Sequence, residues 1–261
     1  MRTTVRALAL AAALLALGGC ATVRTPSPED PWEGMNRATT QFNEGVDAVV
    51  LKPAATAYQK FIPAPVRTGV SNFFGNIGDA WSFVNSALQF KMRDAADNFA
   101  RVQLNTVWGV FGIFDVASDA NIERHREDFG QTLGRWGVGS GPYLVLPILG
   151  PSTLRDTVAL PVDWKGDLTY MIRPISARNI TYGVRAVNTR ATLLRASSVL
   201  DEAALDKYSF TRDAFLQRRR AQIYEPDDPR REVPPPLPDE SKSPATTVPN
   251  PEGQPPAQPA R

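Results

Sequence analysis

His125 is the only histidine of the 261-residue chain, and Cys20 is its only cysteine. These two residues bound the chemistry available. A Ser-His-Asp hydrolase would have to use His125, with its serine in a Gly-x-Ser-x-Gly turn between a strand and a helix. The nearest run is Gly137-Val138-Gly139-Ser140-Gly141, whose serine is one position out of that pattern. The same run lacks the full spacing of a dinucleotide loop, and no Walker sequence occurs. One histidine and one cysteine cannot build a usual zinc site. Adjacent acids such as Glu127 and Asp128 diverge on a helix or turn, so they make no paired-carboxylate centre. The residues point to no catalytic centre, no metal and no cofactor, and His125 reads as a structural histidine.

Cys20 invites a different chemistry. Arg2 and Arg6 precede an apolar run at 7–17 that is too short to span a bilayer, the pattern of a secretory signal. Leu17-Gly18-Gly19-Cys20 resembles the bacterial lipobox. That resemblance implies a diacylglyceryl thioether on the Cys20 sulfur, cleavage before Cys20, and acylation of the new amino group. Residue 21 is alanine rather than aspartate, which by resemblance to known sorting rules favours the outer membrane. Several acyl chains, at about 0.8 kcal/mol per buried methylene, hold firmly. A lone cysteine also excludes a disulfide within the chain, despite export to an oxidising space. Losing Arg2 and Arg6 cancels the formal charge of +2, which removes the electrostatic argument for a nucleic-acid partner.

One more set of polar residues has functional spacing. Asn98, Arg101 and Asn105 fall at i, i+3 and i+7, a narrow polar stripe on an otherwise apolar helix, with Gly109 and Gly112 roughly continuing it. The overlapping run 102–114, VQLNTVWGVFGIF, is uncharged, aromatic-rich and too short to cross a bilayer upright. Inside a membrane such a stripe must face water or other polar groups. It then walls a wet channel or cleft; in a soluble bundle it is simply a hydrogen-bonded stripe. Both alternatives stay open on spacing alone.

The elements that must position these residues read as helical from 30 to 224. Phe74, Ile77, Trp81, Val84 and Leu88 share one helix face, as do Ile180, Val184, Val187, Ala191 and Leu194. Arg218, Arg219 and Arg220 come late in a helix from about Ser209 to Tyr224, where the helix dipole favours cations. The run 136–154, WGVGSGPYLVLPILGPSTL, has no charge and could by length cross a bilayer, but its glycines and prolines break a helix repeatedly. Tyr143 to Leu146 is the best strand candidate, ended by Pro147. Twelve of the 23 prolines lie from Pro226 onward, marking a disordered tail. The expected organisation is a signal peptide over 1–19, a lipidated tether over 20–29, an all-α multi-helix domain over 30–224, and the Pro-rich tail over 225–261.

Ordered motifs carry a family resemblance over roughly 20–224. They are Asp30-Pro31-Trp32-Glu33-Gly34-Met35-Asn36-Arg37 with Phe42-Asn43, Val70 to Asn76, and Arg101 with Asn105. Then come Asp128-Phe129-Gly130-Gln131-Thr132-Leu133-Gly134, Gly141 to Pro147, Gly150-Pro151-Ser152 and Arg155-Asp156. Leu205 to Tyr208 and Arg212 to Arg219 close the series, with Lys207 where the family has a proline. Together they resemble the MlaA (VacJ) family of outer-membrane lipoproteins. The resemblance implies an all-helical ring in the inner leaflet of the outer membrane, around an amphipathic channel and held by trimeric porins. Phospholipid misplaced in the outer leaflet would pass through it to the periplasmic carrier MlaC, and on to the inner-membrane MlaFEDB complex. No covalent bond breaks in that step. The candidate lipid path is Asn98, Arg101, Asn105, Gly141, Pro142, Tyr143 and Pro147, and the glycines and prolines of 136–154 become hinge or ring-wall features. Two other functions remain as rivals: a structural lipoprotein tethering envelope layers, and a lipoprotein phospholipase built on His125.

Overall fold

The computed structural model describes residues 27–204 and 206–224. The signal peptide, Cys20, most of the tether and the Pro-rich tail therefore lie outside the described residues. Helix α1 (Glu33–Val46) runs through a π-helical turn (Asp47–Leu51) into α2 (Lys52–Phe61). Pro63 then caps α3 (Ala64–Leu88), with Pro65 in its first turn, where its missing N–H leaves no gap. Only Gln89 to Lys91 separate α3 from α4 (Met92–Val107), so the two pack as a helical hairpin. The aromatic run after α4 folds back on it: Gly112 donates to the Asn105 carbonyl at 2.7 Å and Phe114 to that of Gly109 at 2.9 Å.

Short helices follow, each started by a side chain that accepts a free backbone N–H. Asp115 caps α5 (Val116–Asp119), Asp128 caps α6 (Phe129–Arg135), Thr153 caps α7 (Leu154–Gly166) and Asp206 caps α9 (Lys207–Ile223). A 3₁₀ turn (Leu168–Met171) leads to the long α8 (Ile175–Ala203), which packs on α2 and α3. Among the described residues, no helix is long and apolar enough to cross a membrane.

The uncharged segment 136–154 is largely a β-hairpin. Strand β1 (Tyr143–Leu146) pairs antiparallel with β2 (Gly150–Thr153), Tyr143 opposite Thr153 and Leu146 opposite Gly150. The strand expected at 143–146 is present; its partner Gly-Pro-Ser-Thr has no apolar alternation to announce it. The other edge of β1 is paired by α1. The Asn36 side chain donates to the Tyr143 carbonyl at 3.0 Å and accepts from the Val145 N–H at 2.9 Å. Seven residues along, Asn43 donates to the Leu146 carbonyl at 2.9 Å and accepts from the Ile148 N–H at 2.7 Å. Two amides on one helix face thus stand in for a third strand.

A small conventional core joins Tyr143, Val145, Tyr208 and Leu216 beneath α9. Elsewhere the usual order is reversed. The fully buried side chains include Arg101, Gln131, Asn36, Asn85, Asn98 and Asn105, whereas Phe111 is 73% exposed, Trp108 67% and Ile148 67%. Helix α3 turns Asn76, Asp79, Ser82, Asn85 and Ser86 inward and leaves Val66, Val84 and Leu88 exposed. The apolar face read from its spacing exists, but its lower half points outward.

Candidate functional site

The polar stripe of α4 is wholly buried. Arg101 lies between two carboxylates. It grips Asp115 at 2.7 and 2.9 Å, reaches Asp79 at 3.3 Å, and donates to the Ile122 carbonyl at 2.6 Å. Arg124 binds Asp79 from the other side at 2.9 Å. Asn105 donates to Asp115 at 2.9 Å and accepts from the Ala117 N–H at 2.9 Å. Burial raises the pKa of Asp79 despite both arginines. Burial also works against the Asp115 carboxylate, but hydrogen bonds from Ser118 and Asn105, with the Arg101 charge, outweigh it and hold its pKa at about 2. Asp79 is the more deeply enclosed of the two, which explains the opposite outcomes. Asn98 bonds both backbone groups of His125.

A second polar cluster joins α6, α7 and α9. Arg219 takes Asp128 with both terminal nitrogens at 2.6 Å and Asp156 through Nε at 2.8 Å. Arg155 bonds Asp156 at 2.8 Å, and Gln131 is enclosed beside Glu127 and Arg219. Burial disfavours the charged Asp156, yet Arg219 and Arg155 bring its pKa below the usual carboxylate value. Gly130 and Gly134 permit this approach. A Cβ on Gly130 would come within 2.5 Å of Asp156 Oδ1, and one on Gly134 within 2.7 Å of Arg155 Nη1. Phe129 donates its backbone N–H to Asp163 at 2.8 Å.

The first family motif forms a third cluster. Asp30, fully buried, accepts from Asn36 at 2.8 Å, from the Tyr208 hydroxyl at 2.5 Å and from Arg212 at 3.3 Å. Arg37 bridges Glu33 and Asp206 and lies over the Tyr208 ring. Pro31, Phe42 and Pro147 are exposed. Gly141 has φ +66°, the Pro142 carbonyl accepts from Leu154, and Tyr143 is enclosed in the small core, where burial pushes its pKa up to about 12. His125 faces Asp97 at 3.2 Å and Asp94 at 3.7 Å, and no hydrogen bond joins it to Ser140 among the described residues.

The concavity suited to an apolar molecule lies elsewhere. A groove of about 790 Å³ runs between the first half of α3, the turn after α4, and α8. Val66, Phe73, Ile113, Phe114, Ile180 and Val184 form its walls, with Thr68, Asn72 and Thr181 as polar points. Its size is within the roughly 300–1,000 Å³ of small-molecule sites. None of the candidate path residues lines it. Sequence spacing had placed Ile180 and Val184 on one helix face; it carried no signal that this face meets Phe73 across a groove.

Three comparisons bear on these features. The family model for the MlaA lipoprotein matches residues 28–222. The chain is 38% identical over 225 residues to the intermembrane phospholipid transport system lipoprotein MlaA of Escherichia coli K12, covering 84% of this chain and 88% of that protein. It is 32% identical to the protein of the same name from Haemophilus influenzae, covering 85% and 92%. A chain solved for the structural basis for maintenance of bacterial outer membrane lipid asymmetry superposes with a TM-score of 0.66 at 36% identity, covering 75% of this chain and 99% of that one. The three hydrogen-bonded motif clusters and the apolar groove all fall inside the matched residues, and the chain belongs to the MlaA lipoprotein family.

Proposed function

We propose that this chain is an outer-membrane lipoprotein that removes misplaced phospholipid from the outer leaflet and passes it, chemically intact, to a soluble periplasmic carrier. The observation that carries the reading is the reversed distribution of polarity: a hydrogen-bonded polar interior beneath an apolar exterior, with an apolar groove at the surface. In water, exposing Val110, Phe111 and Phe114 would be costly, at about 1.5–3 kcal/mol per large apolar side chain. In a leaflet the same side chains are at home. The Cys20 lipid, the inner-leaflet seat, the ring around a channel, the porin that holds it and an MlaC-like carrier complete the proposal. The name of these relatives, intermembrane phospholipid transport system lipoprotein, supports it.

In this mechanism the groove takes acyl chains while the head group follows polar points at its rim. The carrier removes the lipid, and no bond is cleaved. Asn98, Arg101 and Asn105 brace the wall rather than touch lipid, because their donors and acceptors are already engaged. The domain limits given above belong to the same proposal.

The test is reconstitution in membranes with doubly labelled phospholipid and purified carrier. Transfer of lipid bearing both labels is expected. Release of labelled fatty acid would sink the reading in favour of a phospholipase. Phe73→Asp with Val184→Asp should slow transfer about tenfold or more, since two charges enter an apolar path.

A further inference from the structure

The connector from α7 to α8 gathers exposed side chains of two kinds. Trp164, Leu168, Tyr170, Met171 and Ile175 are exposed, and the exposed cations Lys165 and Arg173 stand among them. Neither cation has an ion pair or hydrogen bond among the described residues. No carboxylate nearby is free to neutralise them. Asp167 is taken by Arg185 and accepts from the Thr169 N–H at 2.8 Å. Asp163 accepts from Trp81 and from the Phe129 N–H, both at 2.8 Å. The base of the connector is firmly mounted. Thr169 is buried, and Gly166 lies so close to the Trp81 ring of α3 that no Cβ would fit.

Other parts of the exterior are sorted differently. Residues 108–114 and the hairpin tip at 148–149 expose Trp108, Val110, Phe111, Phe114, Ile148 and Leu149, and neither stretch carries a charge. From Asp115 to Asp128 the reverse holds: charges recur and no large apolar side chain is exposed. Hydrocarbon suits the first kind of surface and water suits the second. The connector combines rings, aliphatic groups and unpaired cations, which suits the boundary between them. Trp and Tyr rings favour the head-group level of a bilayer, and Lys and Arg rest their stems on apolar surface while the charge reaches outward.

We infer that the α7–α8 connector is a head-group contact, at which Lys165 and Arg173 bind the phosphates of the leaflet that holds the chain. Trp164 and Tyr170 lie at the border of phosphates and acyl chains, and Met171 and Ile175 dip below it. The inference rests on the inner-leaflet reading above, and adds the surface that sets the depth and the lipid atoms it touches. Helix α8 links this contact to the groove. Ile180 of the groove wall follows Ile175 by five residues, about 8 Å of helix. The wall thus begins close to the bound phosphates, where the first methylenes of a lipid lie.

The experiment uses the full lipidated chain in nanodiscs of phosphatidylethanolamine and phosphatidylglycerol. Cys20 is the only cysteine and its sulfur carries the lipid, so Phe111→Cys, Arg126→Cys and Met171→Cys each take a single nitroxide. The readout is the relaxation that the nitroxide imposes on head-group phosphorus. Met171→Cys should impose the strongest of the three. Adding Lys165→Glu with Arg173→Glu should cut it by about half or more, because attraction to phosphate becomes repulsion, whereas Lys165→Arg should leave it unchanged. Relaxation at position 171 no stronger than at 126 would overturn the inference. So would relaxation unmoved by the charge reversal, or an equal fall with Lys165→Arg. Transfer of doubly labelled phospholipid from the same discs to purified carrier separates the two proposals. If lipid is transferred while position 171 lies far from phosphorus, the head-group contact alone fails; if position 171 meets phosphorus and no lipid is transferred, the transport reading alone fails.

Discussion

Arg101, 1% exposed, joins segments distant in sequence: Asp79 on α3 and Asp115 ahead of α5. Removing it leaves Asp79 with Arg124 alone and takes from Asp115 its nearest cation, in a site closed to water. Arg101→Leu should cost about 3–5 kcal/mol, read as a lower midpoint in thermal unfolding in detergent; Arg101→Lys should fall between, since an ammonium cannot reach Asp79, the Ile122 carbonyl and Asp115 at once as the three guanidinium nitrogens do. Asp115 also predicts a pH response. Its folded pKa of about 2 lies below the unfolded value near 3.9, so its contribution is present above about pH 4 and is lost as pH falls toward 2. Asp115→Asn should flatten that limb of a stability-against-pH curve. The spacing of Asn98, Arg101 and Asn105 was legible in the sequence. Their partners were not, because no periodicity links position 101 with 79, 115 and 122.

At the level of elements, side chains on helices substitute for strands. Asn36 and Asn43 pair the outer edge of β1, as Asn98 and Ser82 pair residues 125 and 127. Asn36→Ala leaves the buried Tyr143 carbonyl and Val145 N–H without partners and should cost about 1–3 kcal/mol for each. Faster hydrogen exchange at Val145, with α9 unaffected, is the expected local sign. The close approach at α6 predicts that Gly134→Val pushes Arg155 and Ile223 away, so that α9 detaches first and becomes the earliest site of limited proteolysis. Tyr143–Leu146 was readable as a strand from its β-favouring residues and the proline after it. The direction of the α3 face was not. A period reports that a face exists and says nothing about the medium it meets, and here the half carrying Val84 and Leu88 meets the exterior.

For the molecule as a whole, polar contacts hold the inside and apolar groups make up much of the outside. Spin labels at positions 111 and 148 should be quenched by lipid-soluble oxygen rather than by a water-soluble nickel chelate; the reverse would place both side chains in water. Phe111→Asp should weaken membrane partitioning by roughly 2 kcal/mol, measured by flotation with liposomes. The polar interior also has a calorimetric consequence. The heat capacity of unfolding comes chiefly from apolar surface newly wetted, normally about 12–15 cal/mol/K per residue. This chain already displays much of that surface and encloses amides, guanidinium groups and carboxylates, whose wetting lowers the heat capacity. Its stability should therefore follow an unusually shallow curve with temperature, with the cold-unfolding limb displaced far below freezing.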